Sequence, residues 1–205
     1  MKEKNKKNLQ IKTALVLGIL IFIMLTSYVF AQTILIKSNI KIKDANFYLT
    51  LGNFLMKNKY EEHALTAYKK ALEVEPNNKN VLNNLGYYFK EKNPLLAEDY
   101  FKKALEIDPD YEKARNNLAL LYNKNAQYDK AVEQLKYLVE KYPENIHYNY
   151  DLAINLANKY YYQSKDYNEL SESIKYFKIV YDKDKNFQHV LENIKVLEEI
   201  RRMYD

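Results

Sequence analysis

The chain has 205 residues, of which 47% are hydrophobic and 29% are charged, and it contains three Gly, four Pro and no Cys. So few turn-forming residues disfavour a β-rich architecture, and the lack of Cys excludes thiolate metal sites, a cysteine nucleophile and a disulfide framework. The composition predicts a mostly helical protein. The net charge is +5. Where the charged residues lie along the chain indicates whether this charge favours a membrane or a nucleic-acid partner.

The first 36 residues are expected to form a membrane anchor. Residues 1–12 contain five Lys and one Glu, so this basic tail holds about +4 of the net charge. Residues 13–36 carry no charged side chain. As a helix at about 1.5 Å per residue they would span roughly 36 Å, against about 30 Å of bilayer hydrocarbon. We predict a transmembrane helix over 13–36 that acts as a signal anchor.

The Lys residues on either side of this segment predict its orientation. Five Lys precede it and three follow it before residue 44, which favours a cytoplasmic tail and an extracytoplasmic C-terminal part at the plasma (inner) membrane. The alternative is a signal peptide cleaved near Ala31, because Val29 and Ala31 lie at −3 and −1 of a cut before Gln32. Cleavage would leave a secreted or periplasmic protein.

Residues 37–44 are predicted to be a linker, and the chain beyond the anchor is almost neutral. Residues 37–205 carry about +1, with both signs mixed along the sequence. Nucleic-acid binding depends on a concentrated basic surface, so we expect no nucleic-acid partner.

The rest of the chain repeats one pattern about every 34 residues. The stretch YKKALEVEPNN begins at Tyr68, and FKKALEIDPDY begins at Phe101. A small residue that directly follows Leu recurs at spacings of 34, 33 and 34, and these residues are Gly52, Gly86, Ala119 and Ala153. A proline keeps the same period, at Pro76, Pro109 and Pro143. Apolar positions between these marks recur every three or four residues, so each unit is predicted to be two amphipathic helices ended by proline.

A 34-residue period of helix, turn, helix and proline resembles the tetratricopeptide repeat. The resemblance implies an all-α fold, a right-handed superhelical solenoid of helix-turn-helix repeats preceded by the transmembrane helix. The predicted repeats are three clear ones at 45–78, 79–111 and 112–145, and a degenerate fourth at 146–185. In the fourth, about eight extra residues predict either a lengthened first helix or an enlarged turn.

Residues 186–205 are predicted to form a C-terminal capping helix. Val190, Ile194, Leu197 and Ile200 share one face of it, and terminal repeats of solenoids need a polar outer face.

Enzyme activity is not expected. His63, His147 and His189 lie in different units, and the sequence has no Gly-rich phosphate loop or recognisable nucleophile setting. Adjacent acidic residues on a helix do not converge on one point. We therefore predict no catalytic residues, no metal and no cofactor.

The resemblance implies instead a protein or peptide partner held on the concave face, which is lined by the first helix of each repeat. Asn is concentrated at the positions concerned, and an amide both donates and accepts hydrogen bonds, as the backbone of an extended peptide requires. The predicted peptide-binding groove consists of Asn53, Asn83, Asn84, Tyr87, Lys90, Lys113, Asn116, Asn117 and Asn123.

A carboxylate clamp and a self-associating module are two alternative interpretations of the repeats. Some relatives clamp a C-terminal carboxylate with three cationic side chains. Here Asn53, Asn84 and Lys113 match that arrangement. Leu49 and Asn117 stand where two of the three cations would be, so we do not predict a clamp.

The other alternative is a self-associating structural module of a membrane or envelope complex, in which a homo-oligomer forms through an edge repeat.

Overall fold

The computed structural model describes residues 15, 17–30 and 44–203, and every regular element within them is helical. These residues belong to two units, one within residues 1–43 and the other within 44–205. The all-helical class predicted from the composition is confirmed for the described part of the chain.

The first unit contains helix α1, formed by residues 17–30, in which most large apolar side chains are exposed. Among the described helices, none combines the length and the hydropathy that crossing a bilayer would take. The predicted tail (1–12), both ends of the predicted membrane span (13–14 and 31–36) and most of the predicted linker (37–43) lie outside the described residues. The membrane helix therefore stays a prediction.

The second unit consists of nine α-helices within residues 44–203, which follow one another with short connections. Their bounds are α2 Ala45–Lys57, α3 Glu61–Val74, α4 Lys79–Phe89, α5 Pro94–Ile107, α6 Glu112–Lys124, α7 Tyr128–Lys141, α8 Ile146–Lys159, α9 Tyr167–Lys183 and α10 Val190–Arg202. Helices α2 to α9 pack as four consecutive pairs, and the second helix of each pair also contacts the first helix of the next. Helix α10 packs against α9 and ends the series.

Capping side chains set where three of the four first helices begin; α6 follows Tyr111, which makes no side-chain cap hydrogen bond. Asp44, Asn78 and Asn145 precede α2, α4 and α8, and the side chain of each accepts hydrogen bonds from two backbone N–H groups of the first turn. Loss of such a cap costs about 0.5–2 kcal/mol. Because a helix begins at a fixed residue, the caps also determine which of its residues face the neighbouring repeat.

The recurring small residues lie where two helices approach most closely. A Cβ atom at Gly86 would lie 2.5 Å from the ring of Phe101, and one at Gly52 would overlap the ring of Tyr68. Both rings are almost completely buried. In the first two pairs, the recurring small residue in the sequence therefore marks the contact between the two helices.

The fourth position of the repeat is Tyr48 in the first predicted repeat and Arg115 in the third. The structure shows how the charge of Arg115 is accommodated. The guanidinium carbon of Arg115 lies 3.6 Å from the ring centroid of Tyr137. Its terminal nitrogens donate to Gln134 Oε1 at 2.9 Å and to the carbonyl oxygen of Pro109 at 2.6 Å. Stacking and two hydrogen bonds thus replace the packing of an aromatic ring.

The extra residues of the fourth helix pair lengthen its first helix. Helix α8 runs directly into a π-helical turn, Tyr160–Ser164, which ends at Lys165 in the left-handed conformation with φ 54°. The buried Ser173 of α9 then donates to the carbonyl oxygen of Ala153 at 2.7 Å, which ties the two helices together. Of the two arrangements that the sequence allows, the structure has the lengthened helix.

The last helix covers the apolar end of this pair. Val190, Ile194 and Leu197 of α10 pack into one cluster with residues of α9 such as Phe177 and Val180. These three side chains lie on the face that the sequence predicts to be buried.

Candidate protein-binding groove

The nine predicted groove residues all come from the first helices of the first three pairs. Asn53 lies on α2, and Asn83, Asn84 and Tyr87 lie on α4, with Lys90 at its C-terminal end. The other four, Lys113, Asn116, Asn117 and Asn123, lie on α6. Helix α4 contacts both α2 and α6, so the structure places these residues on three adjacent helices.

Four of the predicted Asn side chains hydrogen-bond to one another across the repeats. Asn117 Nδ2 donates to Asn83 Oδ1 at 2.8 Å, and Asn83 Nδ2 donates to Asn84 Oδ1 at 3.3 Å. Asn84 Nδ2 donates to Asn53 Oδ1 at 2.6 Å, and the Tyr68 hydroxyl donates to the same oxygen at 2.9 Å. We call the set Asn53, Asn83, Asn84 and Asn117 the amide ladder.

The amide ladder still has hydrogen-bonding capacity at its ends. Within the ladder, Asn53 uses only its side-chain oxygen, which accepts two hydrogen bonds, so its amide N–H groups remain as donors. Asn117 uses only its amide nitrogen, so its side-chain oxygen remains as an acceptor. Asn83, in contrast, is buried, with 5% of its surface exposed. The ladder thus joins the repeats and offers polar groups to a ligand mainly from its exposed members.

A hollow of about 340 Å³ opens beside the amide ladder between α2 and α4. Its lining consists of Asn53, Met56, Lys57, Tyr68, Asn83, Asn84 and Tyr87. Burial raises the pKa of Tyr68 to about 12, so its hydroxyl stays protonated at neutral pH and continues to donate to the ladder. The hollow combines amide groups with aromatic and thioether surface, which is the mixture that binding sites for side chains commonly show.

Exposed apolar side chains stand on the same helices. Tyr87 is 48% exposed, and its ring lies 3.8 Å below Lys90 Nζ. Leu120, at the corresponding repeat position on α6, is 49% exposed. The excess of Asn in the sequence does not point to Met56 or Leu120. Met56 is the twelfth residue of α2 and Leu120 the ninth of α6, and these positions within a first helix are the signal that could have identified them.

Three predicted groove residues on α6 have side chains without a partner among the described residues. Within the described part of the chain, the side chains of Lys113, Asn116 and Asn123 make no hydrogen bond or ion pair. Nearby, Lys124 pairs with Glu91 of the preceding repeat. Lys113 is therefore a cation available to a ligand, whereas the charge of Lys124 is already matched.

Helix α8 adds an acidic group that the predicted site did not include. Asp151 occupies on α8 the repeat position that Asn84 occupies on α4 and Asn117 on α6. Burial raises the pKa of its carboxyl to about 6, opposed in part by the nearby His147. The Phe187 ring, from the segment between α9 and α10, packs 5.3 Å from the His147 ring and 5.1 Å from the Tyr150 ring.

A larger cavity of about 520 Å³ lies elsewhere, among α5, α6 and α7. It contains none of the nine predicted residues, and its polar walls include Lys102, Glu106, Lys130 and Glu133. These exposed charges of both signs give it no preference for one class of ligand.

Comparison with known proteins agrees with the repeat pattern. A family profile described as tetratricopeptide repeat matches residues 88–153, and a second profile with the same description matches residues 45–78. No curated protein matches the chain by sequence.

Solved structures with the same fold include three of different origin. YrrB, described as a TPR protein with an unusual peptide-binding site, has a TM-score of 0.68 at 22% identity, over 83% of this chain and 83% of that one. PilF of Pseudomonas aeruginosa has a TM-score of 0.62 at 22% identity, over 78% of this chain and 70% of that one.

The third is the MamA protein, with a TM-score of 0.65 at 19% identity over 76% of this chain and 81% of that one. Identities this low show the fold alone. The two profiles confirm the predicted type of repeat: this chain carries tetratricopeptide repeats at residues 45–78 and 88–153, and its described part packs as an all-helical solenoid.

Proposed function

We propose that this protein is a non-enzymatic interaction protein that holds a segment of a protein partner on the concave face of its repeats. The segment lies across α2, α4 and α6 and places one side chain in the hollow beside the amide ladder. The single observation that carries this proposal is the hollow itself, because it brings together Asn53, Asn84 and Tyr87 from two different repeats.

The chemistry of the surface supports a permissive site for an extended or helical segment. Exposed aromatic and aliphatic groups at Tyr87 and Leu120 offer apolar contact area, and the outer amides offer both donors and acceptors. Lys113 supplies a free positive charge. Tetratricopeptide repeats in general bind proteins or peptides, and the peptide-binding site of YrrB shows that a solenoid of this shape can do so.

The proposal includes attachment to a membrane. Its support is the uncharged run 13–36 and the excess of Lys before it. An anchored groove would concentrate its partner at the membrane surface. Cleavage near Ala31 would leave the same groove on a released protein.

Photochemical crosslinking in the native membrane tests the groove. The full chain is expressed with benzoyl-phenylalanine in place of Tyr87 and, as the matched control, in place of Leu95, which is 79% exposed on the second helix α5. We expect irradiation to give one protein adduct from position 87 that is missing from position 95.

An adduct from position 95 and none from 87 would contradict the proposed groove. The self-association alternative gives a distinct result, an adduct of twice the 24.5 kDa chain mass that contains only peptides of this chain.

A further inference from the structure

The concave surface contains one acidic side chain without a partner. Among the described residues at the repeat positions that line this surface, the acids are Glu91 and Asp151, and Glu91 is paired with Lys124. The Asp151 carboxylate makes no hydrogen bond or ion pair with any residue in the described part of the chain.

A half-buried carboxylate without a partner is unfavourable for the folded protein. Burial removes water from the charged form, and protein structures normally offset that loss with a cation or hydrogen-bond donors. The raised pKa of Asp151 reflects this loss of water. At the same repeat position, α4 and α6 carry neutral Asn84 and Asn117, so the fold does not require an acid there.

We propose that Asp151 binds the side chain of a Lys or Arg in the segment held by the groove. This inference rests on the proposed function and adds the chemical class of one residue of the partner. A cation fits because the site has a single negative charge to neutralise, and no group of three His, Asp or Glu among the described residues could hold a metal ion there.

The surroundings of Asp151 suit a long cationic side chain. Phe187, from the segment between α9 and α10, packs against His147 and Tyr150 of α8, which lie within four residues of Asp151 in the sequence. Lys and Arg commonly lay their aliphatic stems along apolar surface while the charged end reaches a polar partner. The rings would contact the stem, and the carboxylate would take a charge-assisted hydrogen bond.

The repeat spacing relates this cation to the side chain in the hollow. Neighbouring helices pack about 8–10 Å apart, so α4 and α8, with α6 between them, lie on the order of 20 Å apart. An extended chain advances about 3.3 Å per residue. In an extended segment, the form taken for this inference, the basic residue therefore lies about six positions from the apolar residue seated beside Tyr87.

A peptide library tests this pairing directly. Random 16-residue peptides displayed on phage are selected on the full 205-residue chain in detergent, and in parallel on Asp151→Asn, Tyr87→Ala and Glu140→Gln. Glu140 is an exposed acid of α7, so its variant removes one negative charge away from the groove. Asp151→Asn should fold, because Asn occupies the same place on α4 and α6.

We expect peptides selected by the parent to contain an aromatic or aliphatic residue and, about six positions away, Lys or Arg. Selection on Asp151→Asn should keep the apolar residue and lose the basic one, whereas Glu140→Gln should select as the parent does. For one synthetic peptide, norleucine in place of its Lys should weaken binding about tenfold or more to the parent and less than twofold to Asp151→Asn.

The outcomes separate this inference from the proposed function. Peptides with the apolar residue but no basic residue, or with equal loss from norleucine on both proteins, would overturn the role of Asp151 and leave the groove intact. Equal enrichment on the parent and on Tyr87→Ala would overturn the groove itself.

Discussion

The amide of Asn84 on α4 donates a 2.6 Å hydrogen bond to the side-chain oxygen of Asn53 on α2, which joins the first two repeats across their concave face. The two residues are 31 positions apart in the chain. Side chains that the sequence suggests as ligand contacts therefore also stabilise the contact between repeats. A substitution in the groove then has two effects, one on binding and one on stability.

The first prediction is that Asn53 and Asn84 are energetically coupled. A neutral hydrogen bond contributes about 0.5–1.5 kcal/mol to the free energy of unfolding. Asn53→Ala and Asn84→Ala should each lower the stability by about that amount, and the double variant should lose less than the sum of the two. Urea unfolding followed by circular dichroism measures all three. Asn123→Ala, whose side chain has no described partner, is the control, and strictly additive losses would show that the hydrogen bond contributes nothing.

The second prediction concerns the close contact between α4 and α5. Gly86→Leu should lower the free energy of unfolding by about 1–3 kcal/mol or more, because even its Cβ would lie 2.5 Å from the Phe101 ring. Gly86→Ala should show the same direction with a smaller loss. Gly18→Ala is the matched control, since nothing lies within 4 Å of a Cβ there.

Thermal melting measures the effect, and about 1 kcal/mol corresponds to roughly 2–4 °C for a domain of this size. If Gly86→Ala melts at the temperature of the parent, Phe101 has room that the structure does not show. Combining Gly86→Ala with Phe101→Leu should recover part of the lost stability, because the smaller side chain relieves the overlap.

The third prediction is that Asp151→Asn stabilises the protein, and only above mildly acidic pH. Burial raises the pKa of Asp151 from 3.8 to about 6 in the folded state, so ionisation disfavours folding. The cost is fully present above about pH 6 and disappears only below the unfolded pKa of 3.8, where the carboxyl is protonated in both states. The expected gain is about 1–3 kcal/mol at pH 7.5 and close to zero at about pH 3.

Chemical unfolding of the parent and of Asp151→Asn at the two pH values measures this difference. Glu140→Gln, which alters an exposed carboxylate, should show little change at either pH. A loss of stability in Asp151→Asn at pH 7.5 would mean that the carboxylate has a stabilising partner. A gain would show that the acid is retained at the expense of stability, as a binding residue would be.

The fourth prediction is that residues 13–36 stay attached and leave the repeats outside the plasma membrane. Protease added to intact cells should then digest the repeats, and carbonate extraction should leave the full chain in the membrane fraction. Protection from the protease would reverse the orientation. A mature N-terminus at Gln32, read by Edman degradation of the purified protein, would replace anchorage by secretion.

Local features of the sequence are enough to predict the helices, the period of the repeats and the close contacts at Gly52 and Gly86. Periodic apolar residues, capping Asn and Asp, and prolines such as Pro76 and Pro109 act within a few residues of their own position. Small residues such as Gly86 recur because two backbones must approach there. These features depend on local geometry that is the same in every copy, so the repeated pattern was sufficient to predict them.

How side chains from different repeats meet depends on the packing of one repeat on the next. The amide ladder, the hollow beside Tyr87 and the free carboxylate of Asp151 depend on the angle and spacing at which one pair packs on the next. Residues 31–34 positions apart then come within hydrogen-bonding distance or do not. That angle is a sum of many small packing contacts, and no single residue type encodes it. The sequence therefore predicted which helices carry the candidate groove, whereas packing between the repeats decided which of its polar side chains are already hydrogen-bonded.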